Sequence, residues 1–187
     1  MVIKHKNLTI RNAKVTDAEQ LCAWWCDGKI MTQFGLPNGA GCTPEQIRKS
    51  LASGVEDPNR HIIELDGKPI GEMNYNNKDG AAEIGIKICV FSERNKGYGT
   101  KLLTIFIDTL FRYYGYEKAI LDTDLKNERA QHIYEQKLGF RRLGVQLLKP
   151  PEQSEEFYAS IVNFETNKAE WLTFQNKPLE YTHIRTK

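Results

Sequence analysis

Arg94-Asn95-Lys96-Gly97-Tyr98-Gly99-Thr100 joins an alternating apolar run, residues 84–91, to a long amphipathic segment that begins near Gly97. Two glycines at a strand-to-helix turn let backbone N–H groups crowd around an anion, and the helix N-terminus adds a favourable dipole. The turn therefore reads as a seat for a phosphate-bearing ligand. A P-loop needs GxxxxGK[ST], which Gly97-Tyr98-Gly99-Thr100-Lys101 does not supply. A dinucleotide fingerprint needs glycine where Leu102 stands. What remains is the pattern [RQ]-x-x-G-x-[GA].

Upstream of the turn, residues 8–14 alternate as a first strand, and Thr16-Asp17 offers an N-cap for a helix through Leu21, Trp24 and Trp25. The Gly/Pro-rich stretch 34–41 has no regular period and reads as a loop. Thr43-Pro44-Glu45-Gln46 is a helix start with a cap and proline at the first position, and that helix ends near Gly54. Residues 61–65 and 69–76 flank the hairpin signal Asp66-Gly67, and a second turn at 76–80 leads into a strand over 82–90.

Downstream, Leu102, Leu103, Phe106, Leu110 and Tyr114 recur at helical spacing until Gly115. A strand over 119–125, a shorter helix over 128–137 and two last strands, 143–148 and 157–164, complete the order βααβββαβαββ. This predicts an α/β (α+β) domain over residues 1–165 with helices on the faces of the sheet. The tail, 166–187, carries Trp171, Phe174 and Tyr181, which suit packing against the domain or contact with a partner, a second copy of the chain included.

At 187 residues with 40% hydrophobic and 27% charged content, the chain suits one globular domain. A net charge of +2 with no Lys/Arg block gives no electrostatic footprint for nucleic acid. The N-terminal residues are too charged for a signal peptide, and no apolar run reaches bilayer length. Cys22, Cys26, Cys42 and Cys89 read as free thiols in a reducing cytoplasm. Cys22 and Cys26 lie one helical turn apart, but no nearby histidine completes a zinc set, so no metal is expected.

A second signal lies beyond the turn, where Asn127-Glu128-Arg129-Ala130-Gln131-His132-Ile133-Tyr134 is followed by Lys137-Leu138-Gly139-Phe140. With Arg94–Thr100, this resembles the GNAT superfamily of acetyl-CoA-dependent N-acetyltransferases. The likeness is nearest to the RimJ/RimL-like branch that acetylates ribosomal-protein N-termini and related small amines, and it spans about residues 8–165. It implies a mixed, mostly antiparallel sheet of about seven strands. It also implies a cytoplasmic enzyme with acetyl-CoA as cosubstrate and no metal. The acceptor would be a small-molecule amine or a peptide N-terminus.

By the same resemblance, the backbone of Ile88, Cys89 and Val90 would pair with the pantetheine arm. Amides of the turn, with Arg94, Asn95, Lys96, Gly97, Tyr98, Gly99 and Thr100 contributing, would hold the pyrophosphate. Asn127 would bond the pantetheine, and Ala130 would share its helix face with Tyr134, the proton donor to the departing thiolate. Amine attack on a thioester makes an oxyanion, expels a thiolate and needs a base for the ammonium proton. Glu83 is the preferred base because it lies on the strand expected to carry the thioester carbonyl. Glu72, Asp122 and Asp124 are the alternatives, and the two aspartates point to one face of their strand. One of Trp24 and Trp25, with Phe34, is a candidate lining for the acceptor.

Overall fold

The computed structural model describes residues 1–32, 35–54, 59–148, 159–175 and 179–185. Among the described residues, nine strands form one sheet: β1 (Val2–His5), β2 (Leu8–Asn12), β3 (Arg60–Leu65), β4 (Lys68–Lys78), β5 (Ala81–Ile88), β6 (Lys118–Asp124), β7 (Arg141–Leu148), β8 (Ala159–Asn167) and β9 (Thr182–Ile184). Their spatial order is β7-β8-β6-β5-β4-β3-β2-β1-β9. Every neighbouring pair is antiparallel except β5 with β6. The helices are α1 (Ala18–Trp25), α2 (Gly28–Met31), α3 (Pro44–Ser53), α4 (Tyr98–Tyr113), α5 (Glu128–His132) and α6 (Lys168–Phe174).

The mixed, mostly antiparallel architecture expected of the sequence is present, with two strands more than expected. Both additions lie at one edge, where β1 pairs with β2 and with β9. The β3–β4 turn places Asp66 at φ 50° and Gly67 at φ 75°, and Asp79 and Gly80 do the same between β4 and β5 at 50° and 83°. Two consecutive positive φ values match the right-handed twist of the flanking strands, which is why Asp-Gly signals a hairpin. The β1–β2 turn has Lys6 at φ 54° and no glycine, so that signal is missing there.

Alternation along β3 sends its side chains to opposite faces. Ile63 joins the core beneath α4, whereas Ile62 joins a second core with Leu21, Trp24 and Ile47 from α1 and α3. Helix α4 is buried along residues 102–111 because the chain beyond β8 covers it. Trp171 of α6, fully buried, meets Phe111 edge-on at 6.2 Å, and the Tyr181 hydroxyl donates to Asp108 at 2.8 Å.

Two local expectations change. Asp17 precedes α1 without capping it through its side chain; its carboxylate instead accepts from the Lys14 N–H and from both terminal nitrogens of Arg11 at 2.7 and 2.8 Å. The segment after α1 contains the short α2, capped by Asp27 accepting from the Lys29 N–H. Thr43 caps α3 as expected, with Gln46 closing the box, and Gly54 ends it at φ 61°. Phe34 and the expected start of the last strand at 157 lie outside the described residues. No helix among the described residues is long and apolar enough to cross a membrane.

Candidate active site

Strands β5 and β6 pair only through Ala82–Ala119 and Glu83–Ile120, at the start of each strand. Beyond these pairs they part, and no further β5–β6 pairing occurs among the described residues. The outer edge of β5 thus presents backbone N–H and C=O groups that a ligand with amides can join in strand fashion. A cavity of about 570 Å³ occupies the gap. Its walls come from β4, β5, the turn into α4, β6 and α5.

At the turn, Asn95 and Gly97 take φ values of 69° and 79°, which fold the chain back so that α4 starts against the cavity. The first N–H groups of an α-helix have no intrahelical acceptor, so Tyr98, Gly99 and Thr100 present donors where the helix dipole is positive. A Cβ added at Gly99 would meet no protein atom within 4 Å. Glycine there leaves room for a ligand and answers no packing need. Arg94 braces the turn, since its Nε donates to the Ile88 carbonyl at 2.8 Å and its guanidinium stacks 4.0 Å from the Phe91 ring centroid.

Across the cavity, Asn127 caps α5 by accepting from the Ala130 N–H at 3.2 Å, and its Nδ2 donates to Thr123 Oγ1 at 3.0 Å. After α5 the chain widens into one turn of i→i+5 hydrogen bonding, in which the Leu138 N–H donates to the Ile133 carbonyl at 3.0 Å. Such turns recur at functional sites, and this one carries Tyr134. Its ring meets Phe164 edge-on at 5.3 Å and lies 6.5 Å from Phe140, and it lines the cavity. Burial, and then the charge of Asp122, push its phenol well above the usual range, so it stays protonated and able to donate.

Two acids in the cavity wall differ sharply. Glu72 is 1% exposed; it accepts from Trp25 Nε1 at 2.8 Å and from Lys87 Nζ at 2.9 Å, and it pairs with Arg60. Burial alone raises its carboxyl, but Arg60 and Lys87, with these hydrogen bonds, hold it below the usual carboxylate range. Asp122 is exposed and lines both this cavity and the shallower pocket beside it. Partial desolvation, and then repulsion from Glu83, lift its carboxyl above the usual range, with Lys78 opposing. Asp124 also lines the cavity and accepts from the Lys126 N–H at 2.7 Å.

The cavity thus gathers Ile88, Arg94, Asn95, Gly97, Tyr98, Gly99, Thr100, Asn127, Ala130 and Tyr134. Four expected site residues lie outside its lining. The Cys89 and Val90 N–H groups both donate to the Ile70 carbonyl, at 2.8 and 3.1 Å. The Cys89 side chain belongs to the α1–α3 core, where burial and then Glu72 push its thiol up to about 12, a poor acyl carrier. Lys96 is exposed and pairs with Glu93 at 3.0 Å. Glu83 pairs with Lys78 at 2.6 Å and borders a separate, shallower pocket that it shares with Asp122.

Trp24 is core and Trp25 is half-buried, with Arg60 4.7 Å above its ring. Sequence reasoning missed Asn74, Lys87 and Arg129, which also line the cavity. Gly85 carried the signal for Asn74. A Cβ there would lie 2.6 Å from the Asn74 side-chain oxygen, and a glycine inside a strand marks such an approach.

A sequence model of the acetyltransferase (GNAT) domain matches residues 7–141. Among solved structures, a spermidine N-acetyltransferase from Vibrio cholerae in complex with CoA and spermine is 20% identical, with TM-score 0.76 over 90% of this chain and 99% of that one. The aminoglycoside acetyltransferase AAC(6')-Ib in complex with CoA and kanamycin is 22% identical, with TM-score 0.70 over 89% and 98%. RimL, a ribosomal-protein alpha-N-acetyltransferase in complex with CoA, is 14% identical, with TM-score 0.70 over 89% and 98%. At these identities the likeness is one of fold. No curated protein sequence matches the chain.

Proposed function

The chain belongs to the acetyltransferase (GNAT) family, and we propose that it transfers the acetyl group of acetyl-CoA to a primary amine by direct attack in a ternary complex. What carries this reading is that the glycine turn, Asn127 and Tyr134, far apart in sequence, line one cavity in the gap between β5 and β6. The acceptor is a cationic small-molecule amine or a peptide N-terminus, for which Asp122 and Asp124 supply an attractive wall.

In this reading the amides of Tyr98–Thr100 hold the pyrophosphate, and the free edge of β5 holds the pantetheine arm through backbone groups near Ile86 and Ile88. The Cys89 N–H is committed to Ile70, so the oxyanion is served by the β5 edge before it. Asp122, whose raised carboxyl suits proton acceptance, takes the ammonium proton from the incoming amine. Glu83 lies outside this cavity, and Glu72 is held as a carboxylate by two cations. Tyr134 donates its proton to the departing thiolate. Both groups line the cavity, and the Asp122 charge is among the causes that raise the Tyr134 phenol.

Calorimetry with acetyl-CoA, ATP and NAD, together with mass analysis of amines incubated with acetyl-CoA, tests the reading. It expects acetyl-CoA to bind in preference to the other two and at least one amine to gain an acetyl group. Tight acetyl-CoA binding with no acetylated product from any amine would make the protein a sensor of acyl-CoA. Preference for ATP or NAD would sink the assignment.

A further inference from the structure

The fold brings a third thiol to the Cys22–Cys26 pair, outside the cavity lining. Cys22 lies on α1, Cys26 is its C-cap residue, and Cys42 immediately precedes the Thr43 cap of α3. The Cys22 and Cys26 sulfurs are 3.8 Å apart, Cys26 and Cys42 are 3.6 Å apart, and all three lie within 4.8 Å of one another. The Cys22 and Cys26 thiols both donate to the Cys42 carbonyl, at 3.3 and 3.2 Å, which holds them toward the same point.

These separations suit a metal better than a disulfide. A tetrahedral ion with metal–sulfur bonds of about 2.3 Å sets its sulfurs about 3.8 Å apart. A disulfide needs them at about 2.05 Å. The donors are also held in advance: Leu21 and Trp24 bury one side of α1, and the Thr43–Gln46 capping box fixes the chain next to Cys42. Cys26 is exposed while Cys22 and Cys42 are half-buried, so one side of the triangle stays open for an incoming ion and a fourth ligand.

We propose that Cys22, Cys26 and Cys42 form a site for one thiophilic divalent cation of the zinc class, with water in the fourth position. On binding, three S–H bonds break, three metal–sulfur bonds form and three protons leave to solvent, so the site passes from neutral to a net charge of −1. Soft thiolate donors select such an ion over magnesium or calcium. The bound ion ties the end of α1 to the start of α3.

The test uses the full chain, reduced and stripped with chelator, titrated with cobalt(II) and then with zinc. The site predicts one cobalt per chain, a sulfur-to-cobalt charge-transfer absorption, displacement by one equivalent of zinc, and proton release in weak buffer. Cys26→Ser, the least buried of the three positions, should lose the absorption while its metal-free melting curve matches the parent. Cys42→Ser should lose it too, and zinc should raise the melting temperature of the parent only. No charge-transfer band, a band that survives Cys26→Ser, or one ion shared by two chains would overturn the proposal.

Discussion

The wall around Glu72 and the wall around Asp122 shift the same functional group in opposite directions. Glu72, on a central strand, is enclosed by Arg60, Lys87 and the Trp25 indole, and it stays ionised below the usual range. Asp122, at the parted end of β6, is exposed and only partly desolvated, and it faces the negative Glu83, so its proton is held more tightly. The contrast teaches that neighbouring charge outweighs burial. A buried acid with two cationic partners stays ionised, whereas an exposed one beside a like charge gains proton affinity.

Substituting each acid in turn breaks the comparison in different ways. Asp122→Asn should lower turnover by about 10²–10⁴-fold, the usual range for a positioned acid or base, with acetyl-CoA affinity nearly unchanged by calorimetry. Tyr134→Phe should lower it by about 10²-fold, again with little change in binding. Equal turnover in either variant removes that residue from the proton-transfer pair.

Glu72→Gln should instead cost about 3 kcal/mol of stability, because it removes the charge that two enclosed cations share. Urea unfolding measures this, and a change within error would contradict the structural role. The linkage signs are opposite too. Glu72 has a lowered carboxyl pKa, so its contribution is fully present above its unfolded value and is lost as pH falls through the folded one. Asp122 has a raised one, so its charge opposes folding at neutral pH, and protonation on acidification removes that opposition. Asp122→Asn should therefore melt at or above the parent temperature at pH 7, and the difference should close as pH falls. A variant that melts well below the parent would place Asp122 among the structural acids.

The smallest effect sharpens the other end of the cavity. A Cβ at Gly99 meets no protein atom within 4 Å, so Gly99→Ala should leave folding nearly unchanged while acetyl-CoA affinity falls by about tenfold or more. Affinity equal to the parent would move the phosphates elsewhere.

Most of the sheet and the glycine turn into α4 were legible because they rest on local chemistry. Asp66-Gly67 imposes its own hairpin, Thr43–Gln46 its own cap, and Gly97 its own left-handed turn. The strands at the far edge were not, because Lys6 adopts φ 54° without a glycine to announce it, and β9 exists only by pairing with β1. Site residues divided the same way. Asn127, Ala130 and Tyr134 follow from a motif on one helix, but the choice among four acids depended on tertiary partners. Which acid meets Arg60 and which meets Glu83 is set by strand register, as is the commitment of the Cys89 N–H to Ile70. The three-thiol cluster was half legible, since helical spacing joins Cys22 to Cys26 but only the packing of α3 beside α1 adds Cys42.

The most direct test of the account is the pH–rate profile of amine acetylation, followed by CoA-thiol release in the parent and in Asp122→Asn. The parent should show amine-dependent release that falls on acidification through a group titrating above the ordinary carboxylate range. The variant should lose both the rate and that limb while still binding acetyl-CoA. An Asp122→Asn profile that overlays the parent, or release that no amine accelerates, would contradict it.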